Sequence, residues 1–484
     1  MVVVGFAPYK SRLLPVCGKH PFHSNRLIAL LAMSWTQVSP TRYERSFDSL
    51  EVFYRAIADA GKPLNRQHYL ISSVTRLKSP VPPAEVRQAW KDLCQQHPQM
   101  AAVADSDTRF VYSVPSPAEL DAWVEDTFAV TPDVSAAHLL PTLEPTSDLR
   151  LDYFPQSREL LWRSPHWRID GFGLLHLQAA FFGLLSGETT PDPSDSDNVL
   201  PRLNPALDEV IFQPGTMTPA QIRSAADAEL AIVLKNTTSA VSMPTLPNIL
   251  PTSTRSIHTI LPADTTTGII TACKAHDITI TTALHAAFAV AMLPHAQHHF
   301  DPSTRGHPGG TYTMLNAFSL RRYMPAPFNG PSAAVSVYHT GIGASIDLTS
   351  HRDFHSIAAI LGQGYKRNLG ADEPRNVFTF LPEHVNQILE LFSIQPEDPL
   401  HGPAGPTFVS MGRVNDSLAS RYGAIEIDDW WIGVEVLSRQ LIAHVWTWEG
   451  EVRLGVCWNE AFYETSFVEG VLDSWREVLL ATLA

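Results

Sequence analysis

Residues 151–185 leave this chain few ways to fold. Leu151 to Trp167 reads as strand, with Leu160, Trp162, Ser164 and His166 on one face. It runs straight into Phe172 to Leu185, where Phe172, Leu175, Ala179, Phe182 and the residues between them are apolar nearly all round. A helix without a polar face must be buried. A strand feeding such a helix calls for layered α/β packing with the helix inside. At the junction stands His166-Trp-Arg-Ile-Asp170-Gly171, an H-x-x-x-D-G. With 20 histidines in the chain, about one H-x-x-x-D arises by chance, and requiring the glycine lowers that to well under one in ten. No other H-x-x-x-D occurs here. Two meanings stand side by side. His166 is structural and Asp170 caps the helix, since Asp satisfies free amides at a helix start; or His166 faces the cleft between layers as a general base.

The rest of the 484 residues fits two α/β halves. In the first, Tyr69 to Leu77 alternates like a strand. Pro82-Pro83 then opens a helix with Val86, Ala89, Trp90, Leu93 and Cys94 on one face, ending near His97-Pro98. In the second, a strand is expected at Ser256 to Leu261, and helices at Thr265 to His276 and Thr281 to Met292. Further strands are expected at Gly310 to Leu320, Ser332 to Gly341 and Ile432 to Leu437. A hairpin over Gln440 to Trp458 turns at Glu449-Gly450, and a helix from Glu464 to Leu480 closes the chain. Leu-x-Ala-Ala-Phe at 177–181 and again at 284–288 hints at duplication, although two Ala-rich core helices look alike anyway. The boundaries expected are a leader or gene-model extension at 1–33, an N-terminal lobe at 34–188, a Pro-rich crossover at 189–255 holding one helix from Pro219 to about Lys235, and a C-terminal lobe at 256–484.

Composition excludes several functions. Charged residues are 17% against 44% hydrophobic, enough apolar content for large cores. The net charge of −14 argues against nucleic acid as a partner. No run of about 18 apolar residues suggests a membrane span. Cys17, Cys94, Cys273 and Cys457 lie far apart, fitting a reducing, cytoplasmic setting rather than a zinc site or disulfide framework. His295, His298, His299 and Asp301 cluster locally, but no second ligand set accompanies them, so a solvated turn is expected and no metal. Arg305-Gly-His-Pro-Gly-Gly matches no phosphate-binding pattern. His176, inside the apolar helix, is expected in the core. Trp430-Trp431, Trp446, Trp448 and Trp458 are expected to pack between sheets more readily than to line a tunnel.

On the H-x-x-x-D-G at 166–171, the stretch Asn316-Ala-Phe-Ser-Leu-Arg321-Arg322-Tyr323, the segment Val409-Ser410-Met-Gly412-Arg413-Val-Asn415 and the closing hairpin and helix, the chain resembles the HxxxD acyltransferase superfamily. That superfamily includes chloramphenicol acetyltransferase, the BAHD enzymes and the condensation domains of peptide synthetases. Within it, the fungal trichothecene O-acetyltransferase family is the nearest likeness. The resemblance covers nearly everything from Trp35 onward. It implies two similar chloramphenicol-acetyltransferase-like lobes with mixed sheets, α/β (α+β) in class, and an active-site tunnel at their interface. The plant DFGWG motif is missing, and Ser410-Met-Gly412 occupies the corresponding region.

What the resemblance implies for residues is specific. His166 is the general base, with an ordinary imidazole pKa near 6.5 suiting it to neutral pH. Asp170 turns from substrate to pair with Arg321, which holds the motif loop, and Gly171 allows a close approach or an unusual backbone conformation there. Ser410, Gly412 and Asn415 are candidate oxyanion or substrate contacts; independently of the resemblance, charge alone makes Arg413 and Arg421 candidates to steer the phosphates of coenzyme A. The activity implied is acyl-CoA-dependent O-acylation, acetyl-CoA being the expected donor and a hydroxyl of a fungal secondary metabolite the acceptor, by a cytoplasmic monomer without metal. Two alternatives stand: a condensation-type or cyclising enzyme of the same fold without a CoA donor, and a non-catalytic metabolite-binding protein.

Overall fold

The structure, a computed structural model, describes residues 34–106, 108–190, 199–211, 217–239, 241–248, 250–295, 310–366, 369, 377–394 and 405–483. The possible leader, Cys17, His298, His299, Asp301 and the Arg305 loop therefore lie outside the described residues. Among the described residues no helix is long and apolar enough to cross a membrane.

Two large sheets organise the molecule. The first has six strands, in the order Arg421–Tyr422, Ile425–Val434, Leu70–Leu77, Glu159–Pro165, Arg150–Phe154 and Phe128–Val130. The second has four, Pro406–Arg413, Leu441–Trp448, Glu451–Asn459 and Thr254–Leu261. Both are mixed. Pro406–Arg413 runs parallel to Leu441–Trp448 and Phe128–Val130 parallel to Arg150–Phe154, while the other pairings are antiparallel. Strands from late in the chain thus complete the sheet begun by the first half, with Ile432 opposite Ser73. Trp446 donates its indole N–H to the Trp430 carbonyl at 3.0 Å, tying the two sheets together. A third, four-stranded sheet gathers Thr36–Ser39, Arg42–Ser46, Arg109–Ser113 and Val103–Ser106. Thr311–Ser319 and His339–Asp347 pair separately, with Ser319 opposite His339.

Each large sheet buries helices. Pro83–Gln96 and Gly171–Ser186 pack in one core, and Ala263–Ala275, Ile280–Met292 and Thr465–Leu483 in the other. Trp430, Trp446, Trp448 and Trp458 are all buried in this packing. At Glu449-Gly450 both residues take positive φ, 49° and 81°, the conformation a tight hairpin turn requires.

Three expected strands differ. The single run over Leu151 to Trp167 is two strands folded on each other, because Pro155 and the polar residues after it make a turn that ends with Arg158 at φ 60°. The strand expected at Ser332 to Gly341 begins only at His339. Before it, Pro331–Ala333 forms a helical turn, and the Ser336 carbonyl and Tyr338 amide bond Asp170 instead of a neighbouring strand. The strand expected at Ile432 to Leu437 is Ile425–Val434.

Candidate active site

The motif helix Gly171–Ser186 starts at Asp170, whose Oδ1 accepts the Gly173 amide at 2.7 Å. The same carboxylate takes Nη1 of Arg321 on both oxygens, at 2.8 and 2.7 Å, and the Tyr338 amide at 2.7 Å. Arg321 reaches on through Nη2 to the Ser336 hydroxyl at 3.0 Å. Asp170 is therefore both helix cap and ion-pair partner. Burial pushes its carboxyl up, but Arg321, His339 and the Gly173 amide outweigh burial and hold it below the usual carboxylate range. The close approach expected at Gly171 falls two residues later. A Cβ at Gly173 would collide with the Ala334 carbonyl oxygen and lie 3.0 Å from Nη2 of Arg321, whereas one at Gly171 presses on the flexible end of Met411 and meets Ile432 at ordinary contact distance.

His166 keeps part of its surface accessible. Its Nδ1 is buried without a hydrogen bond of good geometry. Tyr54 stacks on the ring with centroids 3.9 Å apart and planes 2° from parallel, and His339 lies 5.3 Å away at 41°. Burial first, and His339 second, push the His166 pKa down to about 3, against smaller opposing effects of its own backbone and Asp170. The imidazole is thus neutral at physiological pH, displaced from the ordinary value expected from sequence. Burial raises the Tyr54 phenol and lowers His339.

These rings border a cavity of about 320 Å³, the size range of small-molecule sites. Two packed groups of elements supply its walls. Helix Ser49–Asp59 contributes Leu50, Phe53 and Tyr54, and helix Val377–Ile394 contributes Leu381, His384, Val385 and Ile388, each set at helical spacing. Tyr69, Ile71, Thr407, Ser410, Gln440 and His444 line it from the two large sheets and their connections. Tyr69 donates its hydroxyl to Gln440 at 2.7 Å. Among the described lining side chains only Asp170 carries a formal charge, and Arg321 neutralises it.

The expected residues divide accordingly. His166, Asp170, Gly171 and Ser410 line the cavity, and Arg321 stands behind Asp170. The Ser410 hydroxyl accepts the Gly412 amide at 3.3 Å and lies 3.4 Å from the Thr281 hydroxyl. Gly412 and Asn415 do not line it. Gly412 is exposed, turning the chain at φ 62°, and Asn415 is engaged with Glu449 at 2.7 Å. Arg413 and Arg421 also lie off the cavity, paired with Asp416 and Glu426. His176 is half-buried on the motif helix away from the cavity, and His295 rests against Phe467. Sequence reading missed Tyr54, His339 and His384. Asp48-Ser-Leu-Glu51 ahead of an apolar run does carry a capping-box signature for the helix bearing Tyr54. Nothing local marks the contact of that helix with His166.

No family model matches the chain. It is 30% identical over 477 residues to acetyltransferase pigO of Monascus ruber, spanning 93% of this chain and 98% of that one. It is 26% identical over 459 residues to O-acetyltransferase pigM of the same organism, spanning 92% and 87%. Its fold superposes on TRI3 trichothecene 15-O-acetyltransferase of Fusarium sporotrichioides with a TM-score of 0.77 at 17% identity, covering 94% of this chain and 99% of that one. The chain belongs to the fungal O-acetyltransferase family of the condensation-like acyltransferases. It is an acyl-CoA-dependent O-acyltransferase acting on a small molecule.

Proposed function

We propose that this enzyme transfers an acetyl group from acetyl-CoA to a hydroxyl of an uncharged, largely apolar fungal metabolite, with His166 as general base. The observation that carries this reading is a neutral, partly accessible imidazole at the cavity wall, beside a motif carboxylate engaged by Arg321 and the Gly173 and Tyr338 amides. Nε2 takes the proton as the acceptor oxygen bonds to the thioester carbonyl carbon. The oxyanion so formed is stabilised by a donor at the wall, a role that the presence of Ser410 in the cavity lining supports. Collapse breaks the carbon–sulfur bond, and the imidazolium returns its proton to the departing thiolate. Asp170 and Arg321 hold the loop and take no proton. A wall with apolar Phe53, Phe318, Leu381, Val385 and Ile388 and, among its described residues, no unpaired charge favours a neutral acceptor.

In this reading residues 34–188 and 256–484 act as two lobes about the cavity, with 189–255 crossing between them. Cys94, Cys273 and Cys457 are free and buried, in keeping with a reducing cytoplasm. The test is acetyl transfer from labelled acetyl-CoA to neutral lipophilic alcohols. His166→Ala should lower kcat about 10²–10⁴-fold with its melting temperature kept. Undiminished transfer in that variant overturns the base assignment, and product formed without any thioester points to the cyclising alternative.

A further inference from the structure

A catalytic imidazole is ordinarily fixed in plane by a hydrogen bond from its second nitrogen to a carboxylate or carbonyl. Here Nδ1 of His166 is buried and makes no well-formed hydrogen bond, having only its own backbone within reach, and the motif carboxylate is turned to Arg321. What touches the ring face is Tyr54, 3.9 Å away and parallel to within 2°. The next residue repeats the grip, Arg55 lying 5.0 Å from the Trp167 ring centroid. Consecutive residues of one helix thus cover consecutive residues of the motif.

That helix is anchored more firmly than its short length would suggest. Its cap is a reciprocal box between Asp48 and Glu51. Glu51 also holds Arg45 through two bonds of 2.7 and 2.6 Å, both side chains buried. Asp48 takes the Leu207 amide at 2.7 Å, and Ser49 donates its amide and hydroxyl to Asp208, each at 3.1 Å. Charge-assisted bonds of this kind fix a segment in one place. The segment so fixed sends Leu50, Phe53 and Tyr54 to the cavity.

We propose that Tyr54 is a positioning residue: its ring face sets the plane of the His166 imidazole and so aims Nε2 at the acceptor hydroxyl. The inference rests on the base assignment above. It requires the flat ring of Tyr54 rather than its hydroxyl. Tyr54→Phe should keep kcat within about threefold, while Tyr54→Leu should lose about 10- to 100-fold in kcat with less than threefold change in the KM for acetyl-CoA, misplacement of a catalytic group by about 1 Å being worth that much. A structural readout runs beside the kinetics. In the unmodified enzyme the ring C–H proton resonances of His166, assigned by their loss in His166→Gln, should lie upfield under the Tyr54 ring current. They should stay there in Tyr54→Phe and move downfield in Tyr54→Leu.

Unshifted His166 resonances in the unmodified enzyme overturn the proposal, whether or not Tyr54→Leu folds. So does a Tyr54→Leu enzyme with undiminished kcat, or a Tyr54→Phe enzyme as impaired as Tyr54→Leu. An active His166→Gln defeats the base assignment itself. An inactive His166→Gln beside a fully active Tyr54→Leu defeats only the role of Tyr54.

Discussion

A methyl group at position 173 would meet the Ala334 carbonyl, a backbone atom of the loop at 331–336, and Nη2 of Arg321, which bonds the Ser336 hydroxyl of that loop. Backbone cannot yield as a side-chain end can, so Gly173→Ala should cost about 2 kcal/mol or more. Gly171→Ala, facing the pliable Met411 side chain, should stay within about 1 kcal/mol. Urea unfolding of the two variants side by side decides this, and equal losses would refute it. His166 allows a prediction on pH. Because burial and His339 lower its pKa to about 3, the base form persists on acidification. The pH profile of kcat/KM, taken in brief assays, should therefore be flat down to about pH 5.5, where an imidazole of ordinary pKa would have lost about tenfold. A fall centred near pH 6.5 would show that the ring titrates normally.

The two Leu-x-Ala-Ala-Phe helices carry more than small apolar residues. In each, the variable position is a buried polar peg. Gln178 accepts the Trp430 indole at 2.8 Å and donates to the Ser73 hydroxyl at 3.1 Å. His285 bonds the Tyr365 and Tyr312 hydroxyls, both at 2.9 Å. Gln178 joins the motif helix to strands from opposite halves of the chain, Leu70–Leu77 and Ile425–Val434. Gln178→Leu strands the Trp430 N–H inside the core and should cost about 1–3 kcal/mol. A melting temperature unchanged by that substitution would mean that the peg contributes nothing. Element boundaries were legible where residues act locally: Leu70–Leu77, Pro83–Gln96 and the Glu449-Gly450 hairpin lie within a residue or two of their expected limits. The stretch at 332–338 was not, because its polar atoms are committed to Asp170, a partner distant in sequence.

For the molecule as a whole, burial lowers the pKa of His68, His97 and His444 to about 4 and of His166 and His285 to about 3. The unfolded chain then binds protons that the folded chain refuses, so stability is full above about pH 6.5 and falls as pH drops toward 4, by about 1.4 kcal/mol per pH unit for each histidine. Asp48 and Glu435, raised by burial, act in the opposite sense but are fewer. The urea midpoint should drop steeply between about pH 6.5 and 5, and a constant midpoint would contradict these burials. By itself the sequence determined the layered α/β class, the buried motif helix and the unusual His166–Asp170 spacing, because periodicity, caps and turns act between near neighbours. It also placed Arg321 opposite Asp170, through likeness to a family. Only the tertiary structure decided that Tyr54 and His339 flank the imidazole, that Gly173 makes the close approach, and that Gly412, Asn415, Arg413 and Arg421 stay off the cavity. These depend on which distant surfaces meet, and such meetings are set by the packing of whole sheets and helices rather than by any local run of residues.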